Sequence, residues 1–293
     1  MIDQTWKAEE FERQRPRLQA VAYRMLGSVS EAEDAVQEAW LRLSRTDDEA
    51  IDNLAGWLTT VVGRVSIDML RSRRARREEY VGTWLPEPIV NADERLDPEE
   101  ETLLADSVGI ALLVVLETLS PAERLAFVLH DMFGVPFDEI GPMVERSPAA
   151  ARQLASRARR RVRGAAPTPD ADTSKRREIV EAFLDAARGG DFEALLETLD
   201  PGVMMRTDAG VRARVAPAAI GGAEDVARFV AARGPSFAPS CRVVLVNGSP
   251  GLAVERGGRI QGVAALTVSN GRIVTIDLVL NPDKLQGVDL VTD

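Results

Sequence analysis

From residue 8 to residue 43, apolar side chains return at helical spacing: Phe11, Leu18, Val21, Ala22 and Met25, then Ala35, Val36, Ala39, Trp40 and Leu43. Positions three and four apart share one face of a helix, so the pattern predicts amphipathic helices. Ser30, followed three residues later by Glu33, reads as a capping box at the start of the second. A polar loop over 44–53 leads to a third helix from 54 to about 77, built on Trp57, Leu58, Val61, Val62, Val65 and Leu70. Residues 78–104 are rich in acid, carry Pro86, Pro88 and Pro98, and read as a linker. Helices resume at 105–119, 121–132, about 136–144 and 147–163, before a second linker at 164–174 with Pro167 and Pro169.

The period then changes. Helices at 175–188 and 191–199 precede short alternating runs at 203–207, 242–247, 252–256, 260–268 and 273–280, interrupted by a helix at 223–232. Gly257-Gly258 and Asn270-Gly271 separate runs as two-residue hairpin turns require. The expected fold is multidomain. Two all-α domains, 1–77 and 105–163, the second a helix-turn-helix, precede an α+β domain at 175–293. That domain is read as a curved antiparallel sheet with helices on its concave side.

The formal net charge of −10 argues against nucleic acid only until it is resolved along the chain. Residues 78–106 hold ten acids against the single base Arg95, whereas 1–77 balance and 107–163 lean basic. One cysteine, Cys241, excludes an internal disulfide. The N-terminus lacks the order of a secretory signal, and the longest apolar run, 108–116, is far short of the roughly 20 residues that span a bilayer. A cytoplasmic protein with no membrane partner is expected.

The strongest local signal is 121–163. Ser147-Pro148 supplies an N-cap and a proline at the first helical position, and Ala149, Ala150 and Ala151 keep that helix end slim. Arg152, Gln153 and Ser156 then project, and Arg and Gln suit guanine and adenine edges in a major groove. The arginines at 159, 160, 161 and 163 suit phosphates, although a solvated basic helix end has the same composition. Five arginines lie within 71–77, with Trp40, Trp57 and Tyr80 in the same part of the chain. Such a set fits a melted single strand or a solvated helix end. Trp40 and Trp57 lie on apolar stripes, which suits packing.

Residues 32–43, Ala-Glu-Asp-Ala-Val-Gln-Glu-Ala-Trp-Leu-Arg-Leu, resemble the polymerase-binding helix of the sigma-70 superfamily. Residues 56–64 and 68–72 resemble its promoter-melting helix, and 121–163 its C-terminal helix-turn-helix. With only these two units, residues 8–163 are similar to the extracytoplasmic-function group. The resemblance implies that Asp34, Gln37, Glu38 and Leu41 face the clamp helices of RNA polymerase core (β and β′ subunits). It implies that Asn53, in the loop 44–53, helps capture a flipped base of the −10 element. Arg64, Asp68, Arg71, Arg73 and Arg74 would line the melted strand, and Arg152, Gln153, Ser156 and Arg157 would read the −35 element of promoter DNA.

Trp84-Leu85-Pro86-Glu87-Pro88 and Asn281-Pro282-Asp283-Lys284-Leu285 resemble signatures of the SigJ-like subgroup, whose members carry a SnoaL-like (NTF2-like) extension. A third signature, an Asp followed by glycines and a base, reads here Asp208-Ala209-Gly210-Val211-Arg212, with glycine largely lost. Glu145 stands at the helix-turn-helix turn where glycine is common, because glycine adopts positive φ easily.

The extension reads as regulatory rather than catalytic. Residues 175–293 contain no His, Tyr or Trp, and the single histidine, His130, lies in the helix-turn-helix. Asp208 or Asp277 would have to act as general base, and alternation along the strand turns Asp277 toward solvent. No Cys/His cluster suggests a metal, and no cofactor is implied. Trp84 and Pro86 of the linker, Asp208, and Asn281, Asp283 and Lys284 of the tail are the expected regulatory contacts, with a small molecule in the C-terminal pocket as a candidate ligand. Threaded through a basic channel of polymerase, the acidic linker would imitate the charge of the transcript. Two rival readings are a ligand-sensing DNA-binding regulator and an NTF2-type enzyme tethered to DNA. The first leaves the 32–43 helix without purpose, and the second lacks a partner for its base.

Overall fold

A computed structural model describes residues 4–46, 51–76, 83–91, 108–210, 218–286 and 288. The chain forms two compact units. The first comprises Met1–Glu79, Pro98–Leu104 and Val115–Ala165, and the second Tyr80–Asp97, Ala105–Val114 and Ala166–Asp293. Residues 83–91, read from sequence as linker, thus cluster with the α+β part. Of the ten acids in 78–106, only Glu87 falls within the described residues.

In the first unit, α1 (Gln4–Leu26), α2 (Val29–Leu43) and α3 (Leu54–Arg76) bury Phe11, Leu18, Val21, Met25, Val36, Leu43, Leu58 and Val62. The cap of α2 is Ser28, whose hydroxyl accepts from Glu31 N–H at 3.1 Å, and not Ser30. Gly27 ends α1 at φ 65 and leaves Ser28 extended, so the earlier serine reaches the capping position first. After the short helix α4 (Ile110–Leu116), whose first five residues belong to the second unit, Ser120 forms a reciprocal capping box with Glu123 at the start of α5 (Pro121–Phe127). A π-helical turn, Val128–Met132, continues α5. Then come α6 (Phe137–Met143) and α7 (Pro148–Ala165), joined through Glu145 at φ 55. Helix α3 packs on α5 and α6, so the two helical regions share one unit.

The second unit has α8 (Thr173–Gly189), α9 (Phe192–Thr198) and α10 (Ala223–Phe237). Its strands are β1 (Val90–Asn91), β2 (Leu199–Asp208), β3 (Ala219–Gly221), β4 (Cys241–Val246), β5 (Ser249–Arg256), β6 (Arg259–Ser269) and β7 (Arg272–Val279). The sheet order is β1-β4-β5-β6-β7-β2-β3. It is antiparallel except at β2–β7, which corrects the all-antiparallel expectation. Between these two strands the chain runs through β3, α10, β4, β5 and β6, far more than the dozen residues that the return of a parallel pair needs. Met205, Leu266 and Ile276 face the helices and join Phe183, Leu184, Leu195, Val226 and Val230 in one core. The result is an α+β domain with its helices packed on one face of the sheet. Asn270-Gly271 turns at φ 53 and 72, as does the unanticipated Asn247-Gly248 at φ 49 and 70.

The segment leading into α8 is fastened rather than loose. Asp170 N–H donates to the Val268 carbonyl, and its carboxylate accepts from the N–H groups of Asn270 and Gly271 at 2.8 Å each.

Helices α8 and α10 meet backbone to backbone at Gly234, where an added Cβ would lie 2.2 Å from the Ala187 carbonyl oxygen. Gly234→Ala should therefore lower stability by about 1–3 kcal/mol. Gly189→Ala, whose Cβ meets nothing within 4 Å, should be neutral or slightly stabilising. Thermal unfolding followed by circular dichroism compares the two directly.

Candidate nucleic-acid interface and linker clamp

On α2, Ala32, Ala35, Val36, Ala39 and Leu43 form the buried stripe. Asp34, Gln37 and Leu41 are exposed on the other side, and Glu38 is half-buried with its carboxylate 2.8 Å from Arg42 Nε. Leu41 is 39% exposed, one of few large apolar side chains left in water among the described residues, so the four expected residues form a polar, partly acidic stripe with an apolar C-terminal end.

The residues expected at the −10 element behave differently from one another. Asn53 caps α3, its Oδ1 accepting from Gly56 N–H at 3.0 Å. Arg64 Nη2 donates to the Pro142 carbonyl at 3.2 Å, and Asp68 and Arg71 form an exposed pair at 3.6 Å. Arg73 turns inward: it donates to the Leu26 carbonyl at 2.7 Å, pairs with Glu31, and leaves 11% of its side chain exposed. It fastens the end of α3 to α1 and α2. The Arg74 side chain and Tyr80 lie outside the described residues. Trp40 packs against Phe11 with ring centroids 5.0 Å apart.

In the helix-turn-helix, the Ser147 hydroxyl accepts from Ala150 N–H at 3.3 Å. Ala151, Ala155 and Ala158 are buried on the inner side of α7, which leaves Arg152, Gln153, Ser156 and Arg157 exposed together on the outer side. Arg159 and Arg161, expected at phosphates, pair with Asp131 (2.9 and 2.5 Å) and Glu123 (3.4 Å). One basic residue carried no sequence signal. Arg124 is 2% exposed, pairs with Glu117, and donates through Nε to the Arg24 carbonyl at 3.1 Å.

The second unit assembles the three signature segments around Asp208. This carboxylate is fully buried at the end of β2. It accepts from Leu85 N–H at 2.9 Å, Lys284 Nζ at 2.7 Å and Gly210 N–H at 3.1 Å. Lys284 also donates to the Leu85 carbonyl, and its ammonium stands 4.0 Å from the Trp84 ring centroid. Asn281 accepts from Asp283 N–H at 3.1 Å and abuts Gly210, whose φ of 54 and tight approach to the Asn281 amide leave no room for a Cβ. Leu85 and Pro86 are buried, while the Asp283 side chain is exposed. Beyond them Val90 pairs with Val246, and the Asn247 side-chain oxygen accepts from Ile89 N–H at 3.1 Å. The linker segment is thus the edge strand of the sheet, which its prolines and acid had hidden.

Asp277 is fully buried and chelated by Arg206 at 2.6 and 2.9 Å, against the expectation of a solvent-facing group. Alternation does turn it away from the helices, but that face is closed to water at this point. Burial pushes its pKa up and Arg206 opposes the shift.

Residues 11–76 match the family model of Sigma-70 region 2, and residues 110–162 that of Sigma-70, region 4. The chain is 41% identical over 297 residues to the ECF RNA polymerase sigma factor SigJ of Mycobacterium tuberculosis, covering 97% of this chain and 95% of that protein. The chain belongs to the ECF sigma factors. It is also 34% identical over 286 residues to the probable ECF RNA polymerase sigma factor SigI of the same species, covering 97% and 94%. The crystal structure of M. tuberculosis SigJ superposes with a TM-score of 0.78 at 38% identity, over 97% of this chain and 100% of that one. As an ECF sigma factor it serves RNA polymerase in promoter recognition, and its family is not one of enzymes. Among the described residues, no helix is long and apolar enough to cross a membrane.

Two consequences can be measured. Asp208→Ala strands the Lys284 ammonium, whereas Asp208→Ala with Lys284→Met removes both charges. The single variant should lose about 3–5 kcal/mol in denaturant unfolding, and the double variant clearly less. Cys241 is buried, and desolvation pushes its thiol up to about 11, partly offset by Arg188 and Arg256. Its thiolate is scarce near neutral pH, so iodoacetamide should label the native ECF sigma factor far more slowly than the unfolded chain.

Proposed function

We propose that this ECF sigma factor docks on polymerase core through the α2 face at Asp34, Gln37, Glu38 and Leu41. The −10 element is taken by Asn53, Arg64, Asp68 and Arg71 on and before α3, and the −35 element by Arg152, Gln153, Ser156 and Arg157 on α7. The C-terminal domain regulates this activity by holding the segment that joins the two promoter-reading regions. The single observation behind the regulatory part is the bond from Leu85 N–H to buried Asp208, with Lys284 bound to both partners.

Holding the segment fixes the connection. Residues 83–91 are tied to the sheet at Leu85, Ile89 and Val90, so this stretch of at most about 30 Å cannot change direction. Its release frees both ends to follow the two promoter-reading regions. The −10 and −35 elements are read on separate stretches of duplex, while α3 packs on α5 and α6 and Arg64 is bonded to the carbonyl of Pro142. Reading both elements at once requires those contacts to part, and a held linker opposes that parting. The clamp is therefore inhibitory.

Run-off transcription with purified core polymerase tests the whole reading. Core with the chain should initiate on promoters that core alone ignores. Trp84→Leu and Lys284→Met, which loosen the clamp, should raise initiation at limiting chain concentration by about two- to ten-fold. Unchanged output from both variants, with melting curves that show the clamp weakened, would refute the regulatory part and leave promoter recognition standing.

A further inference from the structure

Arg152 stands at the exposed start of α7, and farther along the same helix Asp131 holds Arg159 and Glu123 holds Arg161. Its own guanidinium lies over a ring, with Cζ 5.4 Å from the centroid of Phe137. Phe137 opens α6 directly after the extended Pro136, and its ring stacks on His130 at 3.9 Å with 29° between the planes. His130 is fixed in turn. Its Nδ1 lies 3.1 Å from the Val135 carbonyl, to which it donates, and it sits in the π-helical turn Val128–Met132. That turn carries an extra residue relative to an α-helix, and this re-aims the side chains that follow α5.

We propose that Phe137 is a positioning residue for −35 readout: stacked on His130, it holds the Arg152 guanidinium in the orientation that reads a base. A free arginine side chain loses about 2 kcal/mol of rotamer entropy when fixed. A guanidinium held over an aromatic face by cation–π attraction keeps its in-plane N–H groups free of the ring, and those N–H groups make the paired bonds to a guanine edge. Phe137 thus sets how sharply one base is preferred without touching DNA itself. The inference rests on Arg152 being a base reader.

The experiment uses holoenzyme reconstituted with the full chain and a promoter set in which each −35 base pair is changed singly. Arg152→Ala should flatten the preference at one position. Phe137→Leu should weaken the preference at that same position roughly two- to five-fold, with the other positions and the salt dependence unchanged. Phe137→Tyr should restore it, and adding Phe137→Leu to Arg152→Ala should change nothing more. Phe137→Met repeats the comparison should the leucine variant melt early. A uniform loss of binding across all −35 sequences, or a Phe137→Leu effect that adds in full to Arg152→Ala, overturns the positioning role and leaves Arg152 as reader. Full retention of every preference in Arg152→Ala removes the reader itself, and the proposal with it.

Discussion

A carboxylate without access to water has to be surrounded by donors, and Asp208 finds them in three stretches of chain far apart in sequence. Removing such a charge from solvent costs several kcal/mol even after relaxation, so its neutralisation decides what stands around it. Lys284 supplies the opposite charge, Leu85 and Gly210 supply N–H groups, and the Trp84 ring replaces water on the ammonium. Leu85 belongs to the segment between the two sigma regions. Satisfying the ion and placing the linker are therefore one event, and the edge strand β1 follows from it.

The first unit solves a similar problem at the end of α1. The last carbonyls of a helix have no partner within it. Here the Leu26 carbonyl takes Arg73 from α3, and the Arg24 carbonyl takes Arg124 from α5. Glu31 and Glu117 balance the two guanidinium groups. Arginine suits this work because its planar fork can serve a carbonyl and a carboxylate together. The same chemistry makes basic residues ambiguous: an arginine in a cluster can face nucleic acid or close a helix end, depending on which carbonyls the fold brings near.

That ambiguity marks where the sequence stops being legible. Helices α1 to α3 and α5 to α7 follow from periodicity, since burial on one face is a local property of spacing. Asn270-Gly271 follows as well, because positive φ at two successive residues is a local demand. The inward turn of Arg73 does not, for it depends on where α1 ends. Asp277 was misplaced because alternation tells which face a side chain takes and nothing about whether water reaches that face. Ser28 and Ser30 are equally good caps as residues, and only the backbone at Gly27 separates them. Strand β1 is the extreme case: two residues beside prolines and acid become a strand because β4 and Asn247 offer partners. The cluster at Asp208 was legible through family resemblance, whereas its geometry, a buried ion with three donors, was not.

The linker's composition also makes it a good captive. Ordering the roughly nine residues from 83 to 91 costs about 1–2 kcal/mol of backbone entropy each, while a hydrogen bond returns only about 0.5–1.5 kcal/mol net. A two-residue ladder alone would not hold such a segment. Pro86 and Pro88 lower that cost in advance, because a proline ring has already surrendered φ and the residue before it is restricted to extended conformations. Buried Leu85 and the Lys284–Asp208 pair then supply attraction concentrated at one end. Retention therefore hinges on a small cluster rather than on the length of the strand, so a change at that cluster releases the whole segment together.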